Sequence, residues 1–305
     1  MKKPNSWART SEVVAMACQE EQTEKRIGML AGWGNYPVRV AQALKDAGYS
    51  VYCLGVKGHC KSEAELREIC TDFSWTTLGK FGKSIRYFQS HSVPDCIMLG
   101  KIHKKELFKP WALFALLPDW VTIKTFAAFF LFKKKDYRDD SLLKRIVDLY
   151  AQNGIRMGVP TDYCPALLVK EGCLTKRQPT ELQMKDVEYG WQVAKDMGRF
   201  DVGQTVIVKN QMAVAIEAIE GTDACIKRAG ELSQRGGLVM VKVAKPQQDM
   251  RFDVPTIGMT TVKNLVSVGG QVLAVEANKT ILIDEDAVVD YANAHNLAIV
   301  AIVKE

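Results

Sequence analysis

"RIGMLAGWGNYPVRVAQALKDAGYSVYCLGV", residues 26–56, decides the fold. It opens on a short apolar run of strand length that stops at Gly32 and Gly34. The following "YPVRVAQALKDAG" has helical spacing and ends on Gly48, and "YSVYCLGV" is a second strand. A strand, a helix and a strand joined this tightly make a β-α-β unit with parallel strands and a right-handed crossover. The pattern recurs in "GKSIRYFQSHS", a helix, and "VPDCIMLG", a strand. The amino-terminal half is therefore expected to be a small Rossmann-like parallel α/β domain. The amphipathic helix "DDSLLKRIVDLYAQNG" closes it, with Asp139 or Asp140 as its cap and Gly154 as its stop.

The rest of the chain has a different texture, with a boundary expected near 155–165 and the halves divided as 26–157 and 158–305. "TELQMKDVEYGWQVAKDMG" reads as a helix. "DVGQTVIVKNQMAVAIEA" reads as two alternating strands joined at Lys209-Asn210-Gln211, a hairpin. "GTDACIKRAGEL" is a helix, "GLVMVKVA" a strand, and "TIGMTTVKNLVSVG" a strand followed by a helix. A short hairpin is expected around "LAVEANKTILI", before a last helix and strand. The fold class expected for this half is mixed α/β.

With 305 residues and 47% hydrophobic content, the chain can bury substantial cores, and its length favours two domains. A net charge of +6 suits an anionic partner such as a phosphate ester, a membrane surface or nucleic acid, without choosing among them. Eight cysteines without a C-x-x-C pair, and four scattered histidines, argue against zinc and for a reducing compartment. Residues 1–25 contain too short an apolar run for a signal peptide and read as a disordered leader. "WALFALLPDWVTIKTFAAFFLF", 111–132, is long enough to span a bilayer, but Pro118, Asp119 and Lys124 interrupt it. Two readings stay open for it: a pair of buried helices, or an apolar surface for lipid rimmed by Lys101, Lys104, Lys105, Lys109 and the lysines 133–135.

Three stretches carry chemical signals. Gly32 and Gly34 follow the first strand, where bare backbone can approach a phosphate at a helix N-terminus; a tight turn needing glycine explains them equally. Pro37 at the sixth position, and no acidic residue closing the second strand, disfavour NAD. "AIEAIEGTDA" places Glu217, Glu220 and Asp223 on a short loop suited to Mg²⁺, or else Thr222 or Asp223 simply caps a helix. "KPQQDMRFDVPTIG", 245–258, crowds Lys245, Gln247, Gln248, Asp249, Arg251 and Asp253 between two prolines. There Arg251 and Lys245 could neutralise a phosphate, and Asp253 could bind metal or orient a water.

In this order, "D-V-G-Q", "A-I-E-A-x-E-G-T-D-A" and "K-P-x-Q-D-x-R-x-D-x-P-T-I-G" resemble the LpxI-type UDP-2,3-diacylglucosamine pyrophosphatases of lipid A biosynthesis. The resemblance extends through "I-G-M-L-A-G-x-G-x-x-P", "F-G-K" at 81–83, "G-K" at Gly100 and Lys101, and "D-D-S-L-L-K-R" from Asp139, covering 26 to about 303. It implies a two-domain enzyme that binds its glycolipid between the domains. Such an enzyme hydrolyses the pyrophosphate to UMP and 2,3-diacylglucosamine 1-phosphate with a divalent metal, Mg²⁺ or Mn²⁺. In that family the aspartate of R-x-D-x-P is tied most closely to catalysis, which here is Asp253. The metal-side candidates are Asp253, Asp223, Glu220 and Glu217, and Lys245 and Arg251 face the phosphates. Gly32, Gly34, Lys83, Lys101, Gln204, Thr222 and Gln248 are the expected substrate contacts, with a solvated helix start as the alternative for Lys83. Trp33 in the glycine loop and the basic, aromatic stretch 104–138 depart from the family pattern and put acyl-chain selectivity in doubt.

The expected partners are a glycolipid nucleotide and, peripherally, the cytoplasmic face of the inner membrane. Self-association as a homodimer is open, and no nucleic acid is expected. Two other classes compete. A Rossmann-type oxidoreductase would share the first half but needs an acidic ribose ligand. A noncatalytic lipid-binding protein would share the apolar segment but has no need of "QDMRFD".

Overall fold

The computed structural model describes residues 24–100, 118–131 and 139–304. Residues 1–23 of the expected leader, Lys101 and the lysines at 104, 105, 109 and 133–135 lie outside the described residues, as does the apolar segment before Pro118, whereas Lys25 already belongs to the first strand.

The amino-terminal half is a parallel sheet in the order β3-β2-β1-β4-β5. Its strands are β1 (Lys25–Ala31), β2 (Tyr49–Val56), β3 (Asp72–Thr76), β4 (Asp95–Leu99) and β5 (Arg156–Met157). The crossovers are α1 (Tyr36–Asp46), α2 (Glu63–Ile69) and α3 (Phe81–Ser90), with α4 (Trp120–Leu131) and α5 (Asp139–Gln152) before β5. Helix α1 buries Tyr36, Pro37, Val40, Ala41 and Leu44, a stripe at helical spacing, against one face of the sheet. Alternate strand residues divide between the layers: Ile27, Met29 and Ala31 face α1, while Leu30, Leu54 and Cys96 face Ile85, Phe88, Ile146 and Tyr150 of α3 and α5. This is the expected parallel α/β unit.

After a short α6 (Pro160–Tyr163) and a 3₁₀ turn, the carboxy-terminal half forms a six-stranded mixed sheet, β6-β13-β11-β9-β7-β8. Its strands are β6 (Gly172–Cys173), β7 (Thr205–Lys209), β8 (Met212–Ile216), β9 (Leu238–Lys242), β11 (Gly270–Glu276) and β13 (Ala298–Ile302). Helix α7 (Glu181–Arg199) covers one face, and α8 (Thr222–Leu232), α9 (Met259–Ser267) and α10 (Glu285–Ala294) cover the other. Thr180 and Gln183 form a reciprocal capping box at the start of α7, a device worth about 1 kcal/mol. Gly190 lets α7 settle on the sheet, since a Cβ there would lie 2.7 Å from a Val241 methyl. The β7–β8 hairpin turns through Asn210 and Gln211, both at positive φ, and buried Asp186 accepts both of their N–H groups.

One expectation fails. Residues 273–283 are not a hairpin: β11 pairs in parallel with β9 and β13, whereas β12 (Ile281–Leu282) pairs with β10 (Thr256–Ile257) in a separate two-stranded ribbon. The reason is burial. Both segments are apolar, but Ile281 packs into the amino-terminal cluster beside Val254 and Ile283, so the chain leaves the large sheet after Glu276. The seven cysteines among the described residues are all free thiols.

No described helix is long and apolar enough to cross a membrane. Helix α4 starts where Asp119 accepts hydrogen bonds from the Thr122 N–H and hydroxyl, so the charge that interrupts the apolar run is a helix cap. The other Asp119 oxygen accepts the Lys83 N–H of α3, and this set of N–H and hydroxyl donors holds its carboxyl below the usual range despite the opposing effect of burial.

Candidate active site

The parallel strands of the amino-terminal sheet end along one edge, and the glycine loop lies there. The Gly32 N–H donates to the Leu99 carbonyl at the end of β4. Gly34 has φ +105°, a backbone open to glycine, and Gly100 (φ +85°) lies so close to the Trp33 carbonyl that a Cβ would sit 2.7 Å from it. Lys83 is at this edge too: its ammonium donates to the Trp75 carbonyl of β3 at 2.7 Å. It is exposed, in the first turn of α3.

The loop from 243 to 255 leaves the end of β9 and reaches across to this edge. Phe252 packs against the α3/α5 cluster and Val254 against the α1 cluster, which leaves Asp253 between two anchors in the amino-terminal half. Gln248 braces the loop: its carbonyl oxygen accepts the Lys245 N–H at 2.7 Å, and its amide donates to the Asp253 carbonyl at 2.6 Å. Gln204, before β7, accepts the Val243 N–H through its own backbone carbonyl. Gln247 donates to the carbonyls of Gly198 and Arg199, tying the loop to the end of α7.

Charges on the loop are arranged in pairs. Arg251 grips Asp249 with contacts of 2.6–3.1 Å, and that guanidinium holds the Asp249 carboxyl below the ordinary range. Lys245 pairs with Asp201. Asp253 differs, because its carboxylate is exposed and no hydrogen bond or ion pair joins it to another described residue. It is the loop's uncommitted anion.

The second acidic stretch builds a different structure. Glu217, just past β8, is buried, and one oxygen accepts the Thr222 hydroxyl at 2.8 Å while the other has no partner among the described residues. Thr222 also accepts from the ammonium of buried Lys242, at 3.1 Å. Gly203 permits this close packing, since a Cβ there would lie 2.0 Å from the Glu217 carbonyl oxygen. Glu220 is bound to Arg228 at 2.7 Å and accepts the Ala218 N–H. Asp223 accepts from Asn264 at 3.1 Å. The residue at the cap position of α8 is Gly221, and neither Thr222 nor Asp223 caps it.

No three His, Cys, Asp or Glu side chains converge as a metal-binding group among the described residues. Glu217, Glu220, Asp223 and Asp253 thus do not form one ligand set; the first three are engaged with Thr222, Arg228 and Asn264. The residues do fit a Mg²⁺ bound by a single carboxylate, Asp253, with phosphate and water oxygens completing its shell.

Two charged residues at the carboxyl ends of the central strands escape a reading for motifs. Glu276 closes β11, is 2% exposed, and accepts from Lys195 (2.7 Å), the Ala244 N–H (2.9 Å) and Lys279 (2.9 Å). Burial drives its carboxyl up, but these donors outweigh burial and leave it below its usual value. Lys242 is the other. The available signal was a lone charge at the end of an apolar strand, in "LVMVK" and "QVLAVE".

Comparison with known proteins matches residues 26–167 to the LpxI N-terminal domain and 170–300 to the LpxI C-terminal domain. The UDP-2,3-diacylglucosamine pyrophosphatase LpxI of Caulobacter vibrioides is 26% identical over 285 residues, covering 91% of this chain and 98% of that protein. The two family domains follow one another in order and account for the glycine-loop sheet and for the sheet that carries the Asp253 loop; this chain belongs to the LpxI family.

Proposed function

We propose that this protein hydrolyses the pyrophosphate of UDP-2,3-diacylglucosamine to UMP and 2,3-diacylglucosamine 1-phosphate, with the substrate held between the 26–157 and 158–305 halves. The observation that carries this reading is the placement of Asp253: an exposed carboxylate without a partner among the described residues, on a loop rooted in one sheet and anchored by Phe252 and Val254 in the other half. Family membership supports the reaction class.

In this reading Asp253 orients the attacking water and accepts its proton. The water oxygen bonds to one phosphorus, the bridging oxygen leaves with the other, and two phosphate monoesters result. Arg251 and Lys245 lie on the same loop and neutralise the phosphates, with an arriving phosphate competing against Asp249 and Asp201 for them. Backbone at Gly32 and Gly34, with Lys83, lines the other wall, Lys101 being a further expected contact that lies outside the described residues, and Gln248 and Gln204 hold the loop in register. A bound Mg²⁺ would supply charge neutralisation at the phosphate oxygens, held by Asp253. Excess chelator is expected to stop UMP release and added Mg²⁺ or Mn²⁺ to restore it; full turnover in chelator would remove the metal from this account.

The diacyl substrate calls for contact with a lipid surface. We assign that contact to the segment around Trp111–Phe132 and its flanking lysines, on the cytoplasmic side of the inner membrane. In the described part of α4, Trp120 is 76% exposed and Ile123 is also exposed. Each lysine near an anionic surface contributes about 1 kcal/mol, which salt screens. The protein is therefore expected to sediment with anionic vesicles at low salt and to be released at high salt. Salt-independent sedimentation, or none, would refute this assignment.

A further inference from the structure

A cavity of about 500 Å³ lies on the α7 side of the carboxy-terminal sheet, beyond the ends of β9, β11 and β13. Trp191, Lys195, Arg199, Pro246, Lys279 and Lys304 are among its lining residues. Crevices at the carboxyl ends of parallel strands are the usual ligand positions in α/β sheets. None of the motifs considered above falls here except through Pro246, which belongs to the Asp253 loop.

The charges are organised in two tiers. Glu276, 3% exposed at its side chain, is satisfied by Lys195, Lys279 and the Ala244 N–H, and Lys195 is further fixed by the Ala244 carbonyl at 2.9 Å. Among the described residues, Arg199 and Lys304 are held only by exposed partners, Asp196 at 3.0 Å and Glu188 at 3.3 Å. Such exposed pairs are weak, so these two cations and the exposed end of Lys279 can turn to an incoming anion at little cost. Four cations against the carboxylates of Asp196 and Glu276 leave the lining with an excess of two positive charges.

We propose that this cavity binds a phosphate monoester dianion. The phosphates of a pyrophosphate diester carry one charge each, whereas a monoester carries nearly two at neutral pH, its second pKa being about 6. A monoester thus concentrates on one phosphorus the charge that the diester spreads over two. The identity of the natural monoester rests on the proposed reaction; the phosphate chemistry does not. Both fragments of that reaction, a nucleoside monophosphate and a sugar 1-phosphate, have the required group.

Isothermal titration of the full chain with inorganic phosphate, UMP, glucosamine 1-phosphate, uridine and glucosamine tests this, alongside Lys279→Ala/Lys304→Ala. These lysines are outside the proposed catalytic loop and 54% and 35% exposed; because Lys279 is also a donor to Glu276, the variant is expected to melt below the parent, and binding is compared at a temperature where both proteins are fully folded. At least one of the phosphorylated probes should bind saturably and at least tenfold more tightly than its unphosphorylated counterpart. The double variant should weaken that binding by about tenfold or more, the size of a charge-assisted hydrogen bond. The stronger of UMP and glucosamine 1-phosphate identifies the source. Binding of neither, or equal binding by parent and variant, overturns the proposal. Lysine-dependent binding without any pyrophosphate turnover would sink the proposed reaction and leave the cavity standing; turnover with lysine-independent binding would do the reverse.

Discussion

Asp253→Asn is expected to fold like the parent and to lose about 10²–10⁴-fold in turnover, the range for a positioned proton acceptor. Its carboxylate makes no described contact that the fold needs, so the melting temperature should stay within roughly 1–2 °C, as for a surface substitution of about 0.5 kcal/mol. The loop's shape is secured elsewhere, by Gln248, Phe252 and Val254. Substrate should still bind, because the amide keeps the size of the side chain and Arg251 and Lys245 remain. Steady-state kinetics and a thermal melt on the same preparation check both parts. Parent-like turnover would remove Asp253 from the chemistry, and a large loss of stability would make its role structural.

Glu276→Gln is expected to do the opposite and act on stability first. Removing one member of a buried charge pair typically costs about 3–5 kcal/mol. Lys195 is 21% exposed and can recover some hydration, which places the cost near the lower end, about 3 kcal/mol. That corresponds to a fall in melting temperature of roughly 6–12 °C for a domain of this size. Glu220→Gln, which breaks the more exposed pair with Arg228, should cost no more than about 1 kcal/mol. The same carboxylate sets an acid limit. Its folded value lies below the unfolded one of about 4.3, so its contribution is complete above that pH and is lost as pH falls through the lower folded value. Parent protein should lose this increment below about pH 4.3, and Glu276→Gln should not. Equal melting temperatures for parent and variant at pH 7 would contradict the account.

The fold class was legible because each half announces its period. The β1-α1-β2 unit and the β7–β8 hairpin are local, with Gly32, Gly34, Gly48 and the Asn210-Gln211 corner marking the turns. The supposed hairpin at 273–283 failed because two apolar strands separated by "ANKT" look alike whether they pair with each other or with distant strands. Only the burial of Ile281 in the other half's core decides it. At the site, the loop from 245 to 258 was legible as a cluster of charges, but which of them pair was not. Arg251 with Asp249, and Lys245 with Asp201, follow from loop geometry, and they engage the loop's two cations while Asp253 is left uncommitted among the described residues. Glu276 and Lys195 are 81 residues apart, and no local pattern could join them.

The central claim, hydrolysis of a pyrophosphate diester by the Asp253 loop, is tested most directly by ³¹P NMR of the reaction. Purified protein is incubated with UDP-2,3-diacylglucosamine and Mg²⁺ in mixed micelles. The account predicts that the two coupled pyrophosphate signals give way to two uncoupled monoester signals of equal area, UMP and the lipid 1-phosphate, and that Asp253→Asn leaves the pyrophosphate intact over the same interval. Persistence of the pyrophosphate with the parent protein, or equal conversion by the variant, would contradict it.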